Sequence, residues 1–386
     1  MPWKETGVTS ERIRFVVEAL KGDESMSAVC RRFGISRKTG YKWLARSRQA
    51  ASLSDLGEVS RRPKRSPLQS SPKIEERVLE LRASHGWGSR KLQALLARED
   101  LTVGRCTIDR ILDRHGVVRE RSGSRPAVTR FERERPNELL QMDFKGQFQL
   151  ASGAWCYPLS LLDDHSRFAL ALSGLPSLHG AGVEPVLRAS FERHGVPESM
   201  LMDHGAPWWS GTNGHGLTEL GVFLIRQGVT LVYSGVGHPQ TQGKVERFHR
   251  TLAAWVRHHR PARTLEGFQD AFVAFQEEYN SVRPHEALGL QTPAQRYRHS
   301  LKTYQAQPPD WQYPPNSEVL PVASNGCVYL AGGYRFICEA LRGQTVRLER
   351  FANRALVSYR HMLIRELDLT TGASHAVIRP HGSSGH

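Results

Sequence analysis

Three carboxylates in three separate segments have the types and surroundings that best suit chemistry. They are Asp143 in Leu139-Leu140-Gln141-Met142-Asp143-Phe144-Lys145, Asp203 in Met200-Leu201-Met202-Asp203-His204-Gly205, and Glu246 in Gly243-Lys244-Val245-Glu246-Arg247-Phe248. Gathered in one pocket, three negative groups repel one another until cations fill the space between them. Oxygen donors select hard divalent ions, and Mg²⁺ suits best where a substrate's phosphates complete its shell. Two such ions about 4 Å apart clamp the attacking and leaving oxygens of an in-line phosphoryl displacement, the chemistry of nucleases and strand transfer. Each acid also has a plain structural reading. Asp203 suits a turn, Asp143 suits a strand surface, and Glu246 can pair with Arg250 one turn on for a few tenths of a kcal/mol.

The elements that must position these acids follow from hydrophobic spacing. Leu140, Met142 and Phe144 alternate with Gln141, Asp143 and Lys145, the period of a strand with one apolar face and Asp143 turned away from it. Asp203 closes a short apolar run, which places it where a strand gives way to a loop, an active-site position in a layered α/β sheet. Val245, Phe248, Leu252 and Trp255 recur three or four residues apart, so about 241 to 258 reads as an amphipathic helix with Glu246 at the border of its buried stripe.

The segment His238-Pro239-Gln240-Thr241-Gln242-Gly243-Lys244-Val245-Glu246-Arg247-Phe248-His249-Arg250 resembles the final active-site segment of bacterial insertion-sequence transposases in the retroviral-integrase superfamily. The resemblance runs on through Asp163-Asp164-His165-Ser166-Arg167-Phe168 and Tyr279-Asn280-Ser281-Val282-Arg283-Pro284-His285-Glu286-Ala287-Leu288-Gly289, covering most of residues 130 to 300. It implies an RNase H-like α/β core over 137–300. It also implies a catalytic Asp, Asp, Glu set, carried here by Asp143, Asp203 and Glu246, that binds two Mg²⁺ with Mn²⁺ able to substitute, and a copy-out, paste-in route. One departure stands out: 42 residues separate Asp203 from Glu246, more than retroviral integrases usually place there. The extra length includes the glycine-rich Trp208 to Gly216 ahead of a helix at about 217 to 227, and it fits the bacterial branch with the DHGxPW pattern seen here from Asp203 to Trp208.

Charge is distributed unevenly. The 386 residues carry a net charge of +15, of which +13 lies in residues 1 to 130, where 28 Lys and Arg face 15 Asp and Glu. That asymmetry points to a nucleic-acid-binding front end on a near-neutral body. No apolar run reaches the 18 or more residues of a membrane helix, and no signal-peptide core opens the chain, so a cytoplasmic, nucleoid-associated protein is expected. The five cysteines form no CxxC pair, so they read as buried thiols rather than a disulfide framework or zinc module.

At the front, Ile13, Val16, Val17 and Leu20 mark a first helix and 27–33 a second. Gly34-Ile35-Ser36 then turns into a third helix at about 37 to 46, with Ser36 as its N-cap. This helix-turn-helix over 1–48 would offer Arg37, Lys38, Thr39, Tyr41, Lys42 and Arg46 to a DNA groove. A second trihelical pattern over 73–118 offers Arg105, Thr107 and Arg110; the alternative is that it packs on the core or a second subunit and reads nothing. Between them lies a basic linker, 49–72, whose Arg62, Lys64 and Arg65 suit a narrow minor groove or a solvated tether. A connector, 119–136, leads into the core.

Inside the core, Asp163 and Asp164 read as turn caps with one a supporting partner of the triad. His238 and Lys244, set among Gly235, Gly237 and Gly243, and Arg247 are expected at phosphate or a terminal base; the alternative is a flexible loop ahead of a helix, with His238 only ordering it. A proline-rich boundary near 307–315 precedes a small β-barrel over 316–372 with a Gly332-Gly333 turn, and 373–386 reads as a tail. The expected protein is a multidomain DDE transposase: helix-turn-helix modules, an RNase H-like core and a small all-β domain. It would bind the terminal inverted repeats of an insertion sequence and cleave and join 3′ ends. Its partners would be double-stranded DNA and at least one further copy of itself, with no membrane. The alternatives are a transposase-derived DNA-binding regulator without catalysis, and an RNase H-like nuclease.

Overall fold

The computed structural model describes residues 7–58, 70–117, 132–211, 216–233 and 243–380, which divide between two units, 1–69 and 70–386.

In the first unit, α1 (Val8–Lys21), α2 (Met26–Arg32) and α3 (Arg37–Gln49) enclose Phe15, Val16, Val29, Cys30, Ile35 and Trp43. Ser36 caps α3 as its sequence implies, its Oγ accepting the Thr39 N–H at 3.2 Å. Gly40 is required by close approach: a Cβ there would stand 2.5 Å from Cys30 Sγ and 2.9 Å from Phe15 Cζ. The buried face of α1 differs from the expected one. Arg12, Phe15 and Val16 turn inward, while Val17 and Leu20 are exposed. Arg12 can be enclosed because its guanidinium lies 4.1 Å over the Trp43 ring and pairs with Glu58.

The second unit opens with another trihelical module: α4 (Pro72–His85), α5 (Ser89–Arg98) and α6 (Arg105–Arg114) around Val78, Leu92, Leu96, Ile108 and Ile111. This module packs directly on the residues that follow. Arg98 donates to the Val282 carbonyl at 2.9 Å, His258 to the Ala83 carbonyl at 2.8 Å, and Arg90 and Lys91 reach Glu286, each at 3.2 Å.

The central sheet is built from β1 (Leu140–Phe144), the short β2 (Phe148–Gln149), β3 (Trp155–Asp163), β4 (Ala169–Leu175), β5 (Ser199–Met202) and β6 (Thr230–Tyr233). Its order is β4-β3-β1-β5-β6, with β3 antiparallel to β1 and β4, and with β5 parallel to both β1 and β6. That is the RNase H-like arrangement. One face carries Leu140, Met142 and Met200 against α7 (Gly180–His194) and α8 (Glu219–Arg226). The other is covered by α9 (Gly243–His259) and α10 (Leu265–Glu277), through Val245, Phe248, Leu252, Phe268, Phe272 and Phe275. The polar face of β1 is therefore enclosed as well, and Gln141 is fully buried.

The C-terminal region is all-β. The strands β7 (Glu318–Pro321), β10 (Thr345–Phe351), β11 (Arg354–Tyr359), β12 (Met362–Asp368) and β13 (Ser374–Pro380) form an antiparallel sheet beside the hairpin of β8 (Cys327–Leu330) and β9 (Gly333–Phe336). Ala331 and Gly332, at φ 50° and 74°, make the hairpin turn. The strand β13 occupies part of the stretch expected to be tail, because pairing with β12 gives its backbone groups partners. Val346, Val357 and Leu367 from this sheet share one apolar cluster with Leu140, Leu224 and Leu231 of the core. All five cysteines are free thiols, and the expectation that they are buried holds for Cys30, Cys156 and Cys338 but fails at Cys106, which is exposed, and at Cys327, which is half-buried. Among the described residues no helix is long and apolar enough to cross a membrane.

Candidate active site

The strands β1 and β5 are paired at Leu140 with Met200 and at Gln141 with Leu201. Two residues further along each strand path come Asp143 and Asp203, so parallel pairing brings both carboxylates to one edge of the sheet. Helix α9 crosses the same face as Gln141 and Asp143 and carries Glu246 in its first turn. Because side chains alternate along β1, the residues buried under α9 and the residue offered to chemistry come from the same set.

The electrostatics agree with that placement. The Asp143 carboxyl is pushed up to about 7, first by burial and then by the negative charge of Asp203, with Glu246 adding to the effect. The Phe144 backbone N–H partly offsets it. Asp203 Oδ1 accepts the Gly205 N–H at 2.9 Å, so this acid also shapes its own turn. Glu246 is exposed, and among the described residues neither it nor Arg250 enters an ion pair, so the plain pairing of those two is not what holds Glu246.

Several neighbours were not singled out as site residues by the sequence. His249, one turn after Glu246, places Nδ1 3.8 Å from Asp143 Oδ2, and its Nε2 lies 2.5 Å from Ser160 Oγ. Ser160 spends its one proton on the Asp143 carbonyl at 3.1 Å, so Nε2 carries the proton that it accepts. Burial, assisted by the charge of Lys145, pushes His249 down to about 3, which keeps the ring neutral. Trp208 is buried and stacks on Phe144, centroids 5.5 Å apart. The His-Arg-rich run after Glu246 was the available signal for His249, but helical spacing alone does not say which of its polar residues turns inward.

Asp163 and Asp164 are both fully buried. Asp163 accepts from the Asn137 N–H and the Ser166 N–H, each at 2.7 Å, and from the Ser166 hydroxyl at 2.6 Å; it holds the turn together. Asp164 instead receives Gln141 Nε2 at 2.8 Å and Lys244 Nζ at 2.5 Å. Lys244, expected at phosphate, here turns its ammonium into the protein, where a buried carboxylate compensates the charge. Arg247 is exposed on α9.

In the first module, Arg37, Lys38, Tyr41 and Lys42 are exposed on α3, Thr39 is half-buried, and Arg46 lies 4.8 Å over Trp43. In the second, Arg105 and Arg110 are exposed on α6 with Thr107 half-buried, and Arg105 stands 3.8 Å from Asp109. Arg62, Lys64, Arg65 and His238 lie outside the described residues.

Residues 227–293, which include Glu246, match the model of the Integrase core domain, and residues 11–64 match that of a Helix-turn-helix domain. The "Insertion element IS407 uncharacterized 31.7 kDa protein" of Burkholderia multivorans is 26% identical over 215 residues, covering 54% of this chain and 74% of the relative. The chain resembles insertion-sequence transposases of the retroviral-integrase superfamily. These matches support a transposase or integrase with a helix-turn-helix DNA-binding domain. Among solved structures, the HTLV-2 integrase catalytic core domain in complex with magnesium is 15% identical, covers 42% of this chain and 97% of its own, and superposes with a TM-score of 0.34. An intasome of simian T-cell lymphotropic virus is 14% identical, covers 79% of this chain and 96% of its own, and gives 0.36.

The donor chemistry suits a hard divalent cation: three carboxylates, with Asp143 held near 7 by burial and like charge, are what such an ion relieves. Among the described residues no three His, Cys, Asp or Glu side chains converge on a single ion. A two-ion arrangement does not require that, since each Mg²⁺ is held by one or two carboxylates and completed by substrate phosphates.

Proposed function

We propose that the chain is a DDE transposase that binds the terminal inverted repeats of an insertion sequence and performs Mg²⁺-dependent cleavage and strand transfer at 3′ ends. The single observation carrying this reading is the parallel β1–β5 register, which brings Asp143 and Asp203 to one sheet edge beside the first turn of α9 that carries Glu246; the raised Asp143 carboxyl agrees with it. Asp143, Asp203 and Glu246 would hold two Mg²⁺, and ions there would supply a lowered pKa at the attacking water or hydroxyl and charge stabilisation at the leaving oxygen.

In cleavage a water oxygen bonds to the terminal phosphorus, the bond from phosphorus to the 3′ oxygen breaks, and that oxygen leaves as a 3′-OH after taking up a proton. In transfer the freed 3′-OH attacks a target phosphodiester and a target 3′-OH departs, so bond count is conserved without a covalent enzyme intermediate. The carboxylates orient the reacting oxygens, His249 and Ser160 hold α9 against β1, and α3 and α6 supply the exposed cations that bring DNA in. Because two element ends are joined, at least a dimer acts; sedimentation of the protein on cut end DNA as a single subunit would contradict that.

The deciding experiment incubates full-length protein with terminal DNA and Mg²⁺ or Mn²⁺, comparing wild type with Asp203→Asn. Nicking at the 3′ end followed by joined product, both lost in the variant, is expected. Metal-independent binding without nicking would leave a DNA-binding regulator, and cutting without terminal preference or joining would leave a nuclease.

A further inference from the structure

Behind the carboxylates lies a polar bridge that the proposed reaction does not use. Gln141 and Asp164 are fully buried and the Lys244 side chain is 15% exposed. Gln141 Nε2 donates to Asp164 Oδ1 at 2.8 Å while its Oε1 accepts the Val245 N–H at 3.2 Å. Lys244 Nζ donates to Asp164 Oδ2 at 2.5 Å and to the Asp164 carbonyl at 3.1 Å, and the Arg133 N–H adds 2.8 Å to Oδ2. The first N–H groups of a helix have no partner within it, and here Gln141 supplies one. Helix α9 is thus anchored immediately before Glu246, at residue 245 to Gln141, two residues before Asp143, and at residue 244 to the Asp164 that Gln141 also holds.

A buried ion pair is a poor source of stability, because desolvating both charges offsets their attraction, and apolar replacements of similar size are often neutral or better. What it supplies is register. A slip of α9 by one residue would move Glu246 by about 1.5 Å along the axis and about 100° around it, taking it off the Asp143 face. We infer that Gln141, Asp164 and Lys244 are positioning residues that set Glu246 against Asp143, and that Lys244 serves this bridge rather than DNA. The inference rests on the proposed metal-dependent reaction for its consequence and on the bridge geometry for its existence.

The test uses full-length Asp164→Asn, Lys244→Met, the double variant and Gln141→Met. Half-saturating Mg²⁺ for nicking of terminal DNA rises about tenfold or more in each, the scale seen when partners behind metal ligands are removed. The double variant regains the wild-type melting temperature, since no unpaired charge stays buried, yet keeps the raised Mg²⁺ requirement. The salt slope of DNA binding is unchanged by Lys244→Met. A slope lower by about 1 would overturn the inference by revealing a phosphate contact, and a double variant with wild-type Mg²⁺ dependence would reduce the bridge to packing. Amide exchange at residues 243–246, faster in Asp164→Asn and Gln141→Met, reads the anchoring without activity. If wild type nicks nothing, the reaction fails and exchange still decides the bridge; unchanged exchange overturns it.

Discussion

His249 Nδ1 stands 3.8 Å from Asp143 Oδ2 while the other ring nitrogen donates to Ser160, so one neutral imidazole ties α9 to β3 and, through the Ser160 bond to the Asp143 carbonyl, to β1. Removing it opens space and costs the Ser160 hydroxyl the bond that it accepts, while its own proton stays on the Asp143 carbonyl. His249→Ala is expected to cost about 1–3 kcal/mol in denaturant unfolding, and His249→Gln to recover part of that through a replacement donor. Equal stability for wild type and His249→Ala would show that the ring does not brace the sheet.

Cation relief of Asp143 has a direct thermal signature. Saturating Mg²⁺ or Ca²⁺ binds the native state only and raises the melting temperature, by about 2.7 kcal/mol of added stability at a hundredfold excess over Kd. The rise should vanish in Asp143→Asn and in Glu246→Gln, both of which keep binding terminal DNA. An undiminished shift in Asp143→Asn would place the ion elsewhere.

The exposed cations at the start of α3 make a different prediction. Arg37→Ala and Lys38→Ala should each lower the salt slope of DNA binding by about 1 with melting unchanged. Trp43→Ala, which empties the centre of the same module and leaves Arg12 without its ring, should cost about 3–5 kcal/mol. A melting loss from Arg37→Ala would assign that side chain to the fold instead of to DNA.

Acid should weaken the second unit through His194. Its ring is buried against Phe168 and Tyr297, with His299 and Arg193 as the charges facing it, and burial first, then those charges, push it down to about 4. A depressed folded-state value means the unfolded chain takes up the proton first. The contribution is therefore intact above the ordinary histidine value near 6.5 and is lost as pH falls toward 4, by up to about 3 kcal/mol. Urea unfolding between pH 7 and 4 should show a shallower decline in His194→Gln; parallel curves would remove His194 from the acid response.

Periodicity and capping made much of the architecture readable. The alternation at Leu140 to Lys145, the stripe of Val245, Phe248, Leu252 and Trp255, and the Ser36 cap each belong to one element and are settled by local geometry. What was not readable depends on a second element meeting the first. Gln141 looked like the solvent side of a strand because nothing in its own segment says that α9 covers it. Lys244 looked like a phosphate contact because its partner, Asp164, lies 80 residues away in sequence. The C-terminal arginines Arg342, Arg347, Arg350 and Arg354 each pair with a glutamate, and all but the Arg347–Glu349 pair join segments apart in the chain, so those pairings too are invisible within any one segment.

The apolar cluster that runs unbroken from the central sheet into the C-terminal strands makes the last sixty or so residues a wall of the building and not an annex. Cys338 Sγ reaches the Leu217 carbonyl, and Arg360 that of Arg226, so α8 is roofed by them. A chain shortened ahead of β7 would bare Leu224 and Leu231 to water, and its fate would be clumping rather than independent life as a smaller enzyme.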